Sequence, residues 1–149
     1  EGQAPGVLLP HLQALRAKAA ESTVGRVDIV LLLQEADTVN LANGYQKQIR
    51  DQGVVVLVVD WIVPKNMLHK SGESCGRAGL MSLHSFGLET YDAVAFLGTS
   101  LQLSGDVTPA LRCAAGEGWF LTTGGGMGEP LNMGFFVARP DRRMIFAAE

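Results

Sequence analysis

Gly87 to Leu111 reads GLETYDAVAFLGTSLQLSGDVTPAL, and its first half decides the fold. Tyr91-Asp92-Ala93-Val94-Ala95-Phe96-Leu97 is a short apolar run entered from a turn and left at Gly98. That is the pattern of a buried strand, with Ala93–Leu97 as its body. In an open α/β sheet, ligands gather at the carboxyl ends of strands. Here that end carries Gly98-Thr99-Ser100, with no carboxylate, imidazole or thiol.

Working outward from this strand, helices and strands alternate. Pro5–Ala20 carries Leu8, Leu12 and Leu15 at helical spacing among alanines, with Pro10 moving the expected start towards Leu9. Val24-Gly25 ends it. Val27–Leu33 has the composition of a fully buried strand. Ala36–Asn40 is a loop offering Asp37 or Thr38 as an N-cap, and Leu41–Gln52 is a second helix stopped by Gly53. Val54–Trp61 is a β-branched strand, and Ile62–Glu73 a connector. Arg77–Leu88 reads as a helix interrupted by Gly79 and ended by Gly87. Beyond the opening stretch come a helix over Val107–Ala115 with Asp106 as its cap, and a strand over Trp119–Thr123. Strands are also expected at Met133–Ala138 and Met144–Ala148. Strands alternating with helices predict an α/β domain with a mostly parallel sheet and helices on both faces. The absence of repeats, linkers and low-complexity segments makes residues 1–149 a single domain.

Composition narrows the function. The chain has 149 residues, of which 47% are hydrophobic and 18% charged, so it can bury a sizeable core. A net charge of −3 supplies no basic field for nucleic acid, and the arginines of Arg139–Met144 read as a solvated strand end. No apolar run is long enough for a transmembrane segment. Cys75 and Cys113 fit neither a metal motif nor a disulfide framework, so both read as free thiols in a reducing intracellular or organellar compartment. With no signal peptide and no initiating methionine, the chain reads as a processed or trimmed form.

Few motifs carry chemistry. Thr122-Thr123-Gly124-Gly125-Gly126-Met127-Gly128 follows a strand, as a phosphate loop does, but lacks the Lys-Ser/Thr pair, and Pro130 interrupts the helix that would follow. A surface loop is the plainer reading. His11, His69 and His84 are not spaced as metal ligands. Ser22, Ser71, Ser82 and Ser100 lie in no G-x-S-x-G context, which speaks against a serine hydrolase. Asp60 ends a strand, where a carboxylate serves a ligand or a turn equally well.

Tyr91–Leu97, the Asp106-Val107 and Leu111 that follow it, and Leu131-Asn132-Met133-Gly134-Phe135-Phe136-Val137-Ala138-Arg139-Pro140 together resemble the glycogenin-like retaining glycosyltransferases. In that family a strand of the type "teYDrvvflDaDtlvl.NiDeLf" carries an Asp-x-Asp motif that holds manganese against the diphosphate of a UDP-sugar. A later "fNSGvfvy.P" segment touches the donor sugar. Pro5–Leu15 resembles the family's "YlpGalvLa.SLr" helix, and Arg26–Leu32 its second strand. The resemblance implies a GT-A, Rossmann-like fold, with Asn132, Gly134 and Gly126 as vestigial substrate-binding positions. The aspartates fall on Gly98 and Ser100, and the family lysine on Ser82. A hard divalent ion needs anionic oxygen ligands, so no metal site and no catalytic residue is expected. The family's first strand and its "HxxGxxKPW" segment have no counterpart, which makes the expected sheet truncated at both ends relative to the family.

Three functions follow as expectations. The first is a catalytically silent, glycosyltransferase-like domain, without a cofactor, serving as a structural or accessory subunit of a larger protein assembly. Its partner contacts are expected on Val27–Leu33, Val54–Val59 and the apolar side of Pro5–Ala20. The second is an active retaining transferase using manganese and a UDP-sugar. The third is a Rossmann-like nucleotide-binding protein using the glycine-rich loop over 122–128.

Overall fold

The computed structural model describes residues 5–23, 25–34, 43–60, 62, 80–124 and 134–146. The expected loop over Ala36–Asn40, nearly all of the Ile62–Glu73 connector, and Gly126 and Asn132 lie outside these residues. The chain is α/β and divides into two compact units, Glu1–Asp60 with Gln102–Asp106, and Trp61–Leu101 with Val107–Glu149.

The first unit is built from α1 (Pro5–Ala20), β1 (Val30–Gln34), α2 (Asn43–Asp51) and β2 (Val55–Val59). Leu8 and Leu12 are buried and Leu15 and Ala19 half-buried, one stripe at helical spacing. The helix begins at Pro5 rather than near Leu9 and carries Pro10 inside it. Pro10 has no N–H for the carbonyl four residues earlier. Burial of Leu8 and Leu12 on either side of it offsets that loss. α2 ends where expected: Gly53 takes φ +71°, a left-handed conformation that side chains disfavour, and its N–H reaches Arg50 O at 2.7 Å.

β1 starts three residues later than expected, because its partner sets the ladder. With α2 closed at Gly53, the Val55 N–H donates to Ile29 O at 2.9 Å, and parallel pairing runs from Val30↔Val55 to Gln34↔Val59. Two parallel strands joined through a helix are what the alternation requires. Leu8, Leu12, Leu31, Leu33, Ile49 and Val54 form the core of this unit, with Leu9, Ile29, Tyr45 and Val56 packed around it. β1 is not fully buried, since Val30 and Leu32 are half-buried.

The second unit contains a 3-10 helix (Met81–Gly87), β3 (Val94–Leu97), α3 (Thr108–Glu117), β4 (Leu121–Thr122), β5 (Phe135–Ala138) and α4 (Arg143–Phe146). Its sheet is antiparallel with order β3-β5-β4, so it does not extend the parallel pairing of β1 and β2. The chain between β4 and β5 runs from Thr123 to Gly134, and antiparallel neighbours need no crossover helix. β5 is the central strand: Phe136, Val137 and Ala138 are buried, whereas Ala95 of β3 is exposed. Phe136 stacks with Phe86 and Phe96 at centroid distances of 5.4 and 5.3 Å and meets Phe120 at 5.2 Å with the rings tilted by 31°.

Three elements of this unit differ from the sequence expectation. The segment before β3 is a 3-10 helix that ends at Gly87 as expected, with Ser82, Ser85 and Phe86 buried. Ser85 Oγ donates to Ser82 O at 2.5 Å, a local bond that suits the tighter turn. The cap position of α3 is Val107 rather than Asp106: Val107 O accepts the Leu111 N–H at 3.0 Å, and Pro109 in the first turn needs no acceptor. Met144–Ala148 was expected as a strand, but Arg143–Phe146 is a helical turn. Asp141 starts it by accepting the Arg143 N–H at 3.0 Å, while Asp141 O accepts the Met144 N–H at 2.9 Å. Among the described residues, no helix is long and apolar enough to cross a membrane.

Candidate functional site

The candidate site is where β3 ends and β5 begins. Antiparallel register sets Leu97 opposite Phe135, Phe96 opposite Phe136 and Val94 opposite Ala138. One step beyond the ladder, Gly98 meets Gly134, and the Gly98 N–H donates to Gly134 O at 2.7 Å. A Cβ added to Gly98 would lie 3.3 Å from that oxygen and 3.7 Å from the Gly134 Cα. The two main chains therefore approach as closely as they do because position 98 has no side chain.

After Gly98 the chain turns sharply, with the Leu101 N–H on Gly98 O at 2.9 Å. The turn leaves Thr99 and Ser100 exposed. On the far side of β5, Thr122 Oγ1 of β4 donates to Phe135 O at 2.8 Å, which fixes the start of β5 from its other edge. Beneath the site, the stacked rings of Phe86, Phe96 and Phe136 hold the 3-10 helix, β3 and β5 together. The site is thus a close-packed backbone corner with hydroxyls at its rim.

The structure brings together Gly98 and Gly134, which lie 36 positions apart in the sequence and belong to separate motif-like segments. Ser100 lies in the turn beside them. Ser82 is buried on the 3-10 helix. The end of β3 borders the start of an antiparallel neighbour, so the rule for carboxyl ends of parallel strands does not apply to it. Of the glycine-rich stretch, Thr122, Thr123 and Gly124 are described, and Thr122 is committed to β5. Asp92 and Asp106 are exposed, and Asp60 follows β2 in the other unit. Among the described residues, no three His, Cys, Asp or Glu side chains come together as a metal site. Cys113 is a free, exposed thiol on α3.

The sequence reading did not pick out two polar groups that the structure makes conspicuous. Gln34, at the end of β1, is buried with its Nε2 unpartnered among the described residues. Its place as the last residue of an apolar strand was the only available signal. Asp141 binds Arg143 through contacts of 2.6, 2.9 and 3.1 Å. The Arg143 side chain, and then the Arg143 backbone N–H, hold the Asp141 carboxyl down at about 2, against an ordinary 3.8. The same contact raises the Arg143 guanidinium above its ordinary value. No protein-family model matches the chain, and no curated protein matches it significantly.

Proposed function

We propose that the chain is a catalytically silent, glycosyltransferase-like domain that serves as a structural or accessory subunit of a larger protein assembly. One observation carries the reading. The two segments that resemble the glycogenin-like donor site are β3 with its Gly98–Ser100 end and the stretch leading into β5. They are paired strands, and they meet at the Gly98–Gly134 contact. On the family pattern, that end of β3 supplies two carboxylates to a divalent ion. Here it supplies an amide already given to Gly134 O and an exposed serine hydroxyl. Neither is an anionic oxygen, which a hard cation requires. The resemblance matches β1 to the family's second strand and β3 to the strand that bears Asp-x-Asp, each within its own unit.

Titration calorimetry with UDP, with and without manganese, tests the loss of catalysis. The expected result is no manganese-dependent binding, and a manganese-dependent dissociation constant in the micromolar range would overturn the reading. Purification from the native source tests the second half, with stoichiometric protein partners expected to accompany the chain.

A further inference from the structure

The sequence points to three apolar elements as contact surfaces, and in the first unit two of them cover each other. Leu8 and Leu12 of α1 bury against Leu31 and Leu33 of β1, together with Ile49 and Val54. β2 is different. Val55 keeps 38% of its surface exposed and Val58 keeps 56%. Residues three apart on a strand point to opposite faces. Exposure at both leaves each face of the strand partly uncovered. Among the described residues, β2 pairs with β1 alone.

Edge strands usually guard themselves with lysine, proline or a bulge. Val54–Val59 reads VVVLVV, with no charge, proline or glycine, a run with high β-propensity and nothing to repel an identical strand. We propose that the outer edge of β2 pairs antiparallel with β2 of a second copy of this chain, forming a two-fold dimer. A two-fold axis through Leu57 sets Val58 opposite Val56 of the second copy and Val55 opposite Val59. It also sets Asp60 of each copy opposite Val54 of the other, beside Gly53. The Arg16 guanidinium lies against Gly53, in the space a Cβ there would need. Each copy thus brings an exposed carboxylate to the other's exposed guanidinium, twice, at the two ends of an uncharged valine row. This charge match singles out a second copy as the occupant. The self-complementary pairing closes on itself, as two-fold interfaces do. One strand pair buries less than the roughly 1,600 Å² of a standard interface, so the dimer is weak and depends on concentration.

This pairing does not rest on the silent-transferase reading, and either can fail alone. Sedimentation velocity over a concentration series tests it. A reversible monomer–dimer equilibrium is expected. Val58→Lys, at an exposed position where circular dichroism should show the fold retained, should weaken dimerisation at least about tenfold, a change of about 1.4 kcal/mol. Arg16→Asp and Asp60→Arg should each weaken it, and the double variant should recover it. The charge swap decides the matter if the lysine variant does not fold. A monomer at every concentration, an open-ended series of oligomers, or a dimer indifferent to both the lysine and the charge reversals would overturn the proposal.

Discussion

Putting a side chain back at Gly98 should destabilise the protein, and the cost follows from the contact with Gly134. A Cβ at position 98 would stand 3.3 Å from Gly134 O, tighter than ordinary van der Waals contact. That oxygen is held by the Gly98 N–H at 2.7 Å and cannot recede without stretching the bond. Weakening one such hydrogen bond costs about 1 kcal/mol. Overpacking typically costs about 1–3 kcal/mol, and the lower end fits a clash of a few tenths of an ångström. Replacing glycine also restricts the unfolded chain, which offsets about 0.4–1 kcal/mol. The net expectation for Gly98→Ala is a loss of about 1–2 kcal/mol. Gly98→Asp should lose at least as much, because its carboxylate enters beside a carbonyl oxygen. Urea denaturation of the parent and both variants, followed by far-ultraviolet circular dichroism, reads the difference as a shift in midpoint at constant slope. If Gly98→Ala is as stable as the parent or more so, the close approach is not what holds this corner, and the reasoning fails. If Gly98→Asp alone is rescued by manganese, the carboxylate has found a metal that the proposed function says it should not hold.

Truncating Phe136 should be among the most damaging single changes, since its ring is fully buried and faces three others; Phe136→Ala is expected to cost about 3–5 kcal/mol in chemical denaturation. Phe120→Ala should cost clearly less, because that ring is 41% exposed. The start of α4 should depend on pH in one direction. The Asp141 carboxyl is held down at about 2, below its ordinary 3.8, so its contribution is complete above about 3.8 and disappears as pH falls towards 2. Carboxyl chemical shifts through an acid titration measure the midpoint, and a value at or above 3.8 would contradict the Arg143 contact. Asp141→Asn should raise the exchange rate of the Arg143 amide hydrogen at neutral pH.

The first unit was legible because its signals are local. The leucine stripe of α1, the β-branched run of β2 and Gly53 between α2 and β2 each mark their own element, and two strands separated by a helix are led to pair in parallel. The second unit was less so, because its order depends on contacts between distant residues. Nothing local in Phe135–Ala138 says that this late strand enters between β3 and β4, or that it runs against both. The helical turn at Arg143–Phe146 hid for another reason: its apolar residues suit a strand, and one aspartate side chain tips the balance. At the site, the absence of carboxylates after Leu97 could be read directly. That Gly98 donates to Gly134 could not, because it requires the β3–β5 register.

The position of β5 bears on how the second unit comes into being. β3 is complete at Leu97 and β4 at Thr122, yet among the described strands each has β5 as its only neighbour, and β5 is made last. Until Ala138 has left the ribosome, neither earlier strand has its ladder partner among the described strands, and Phe86, Phe96 and Phe120 lack the ring that all three pack against. The ladder of the first unit meets no such delay, since β1 and β2 lie close together in the sequence and both precede β3. Synthesis therefore passes through an interval in which one unit can fold while the other keeps three aromatic rings and two unpaired strands in reserve. In that interval a chaperone has most to hold, and a pause in translation before Phe135 does the most harm.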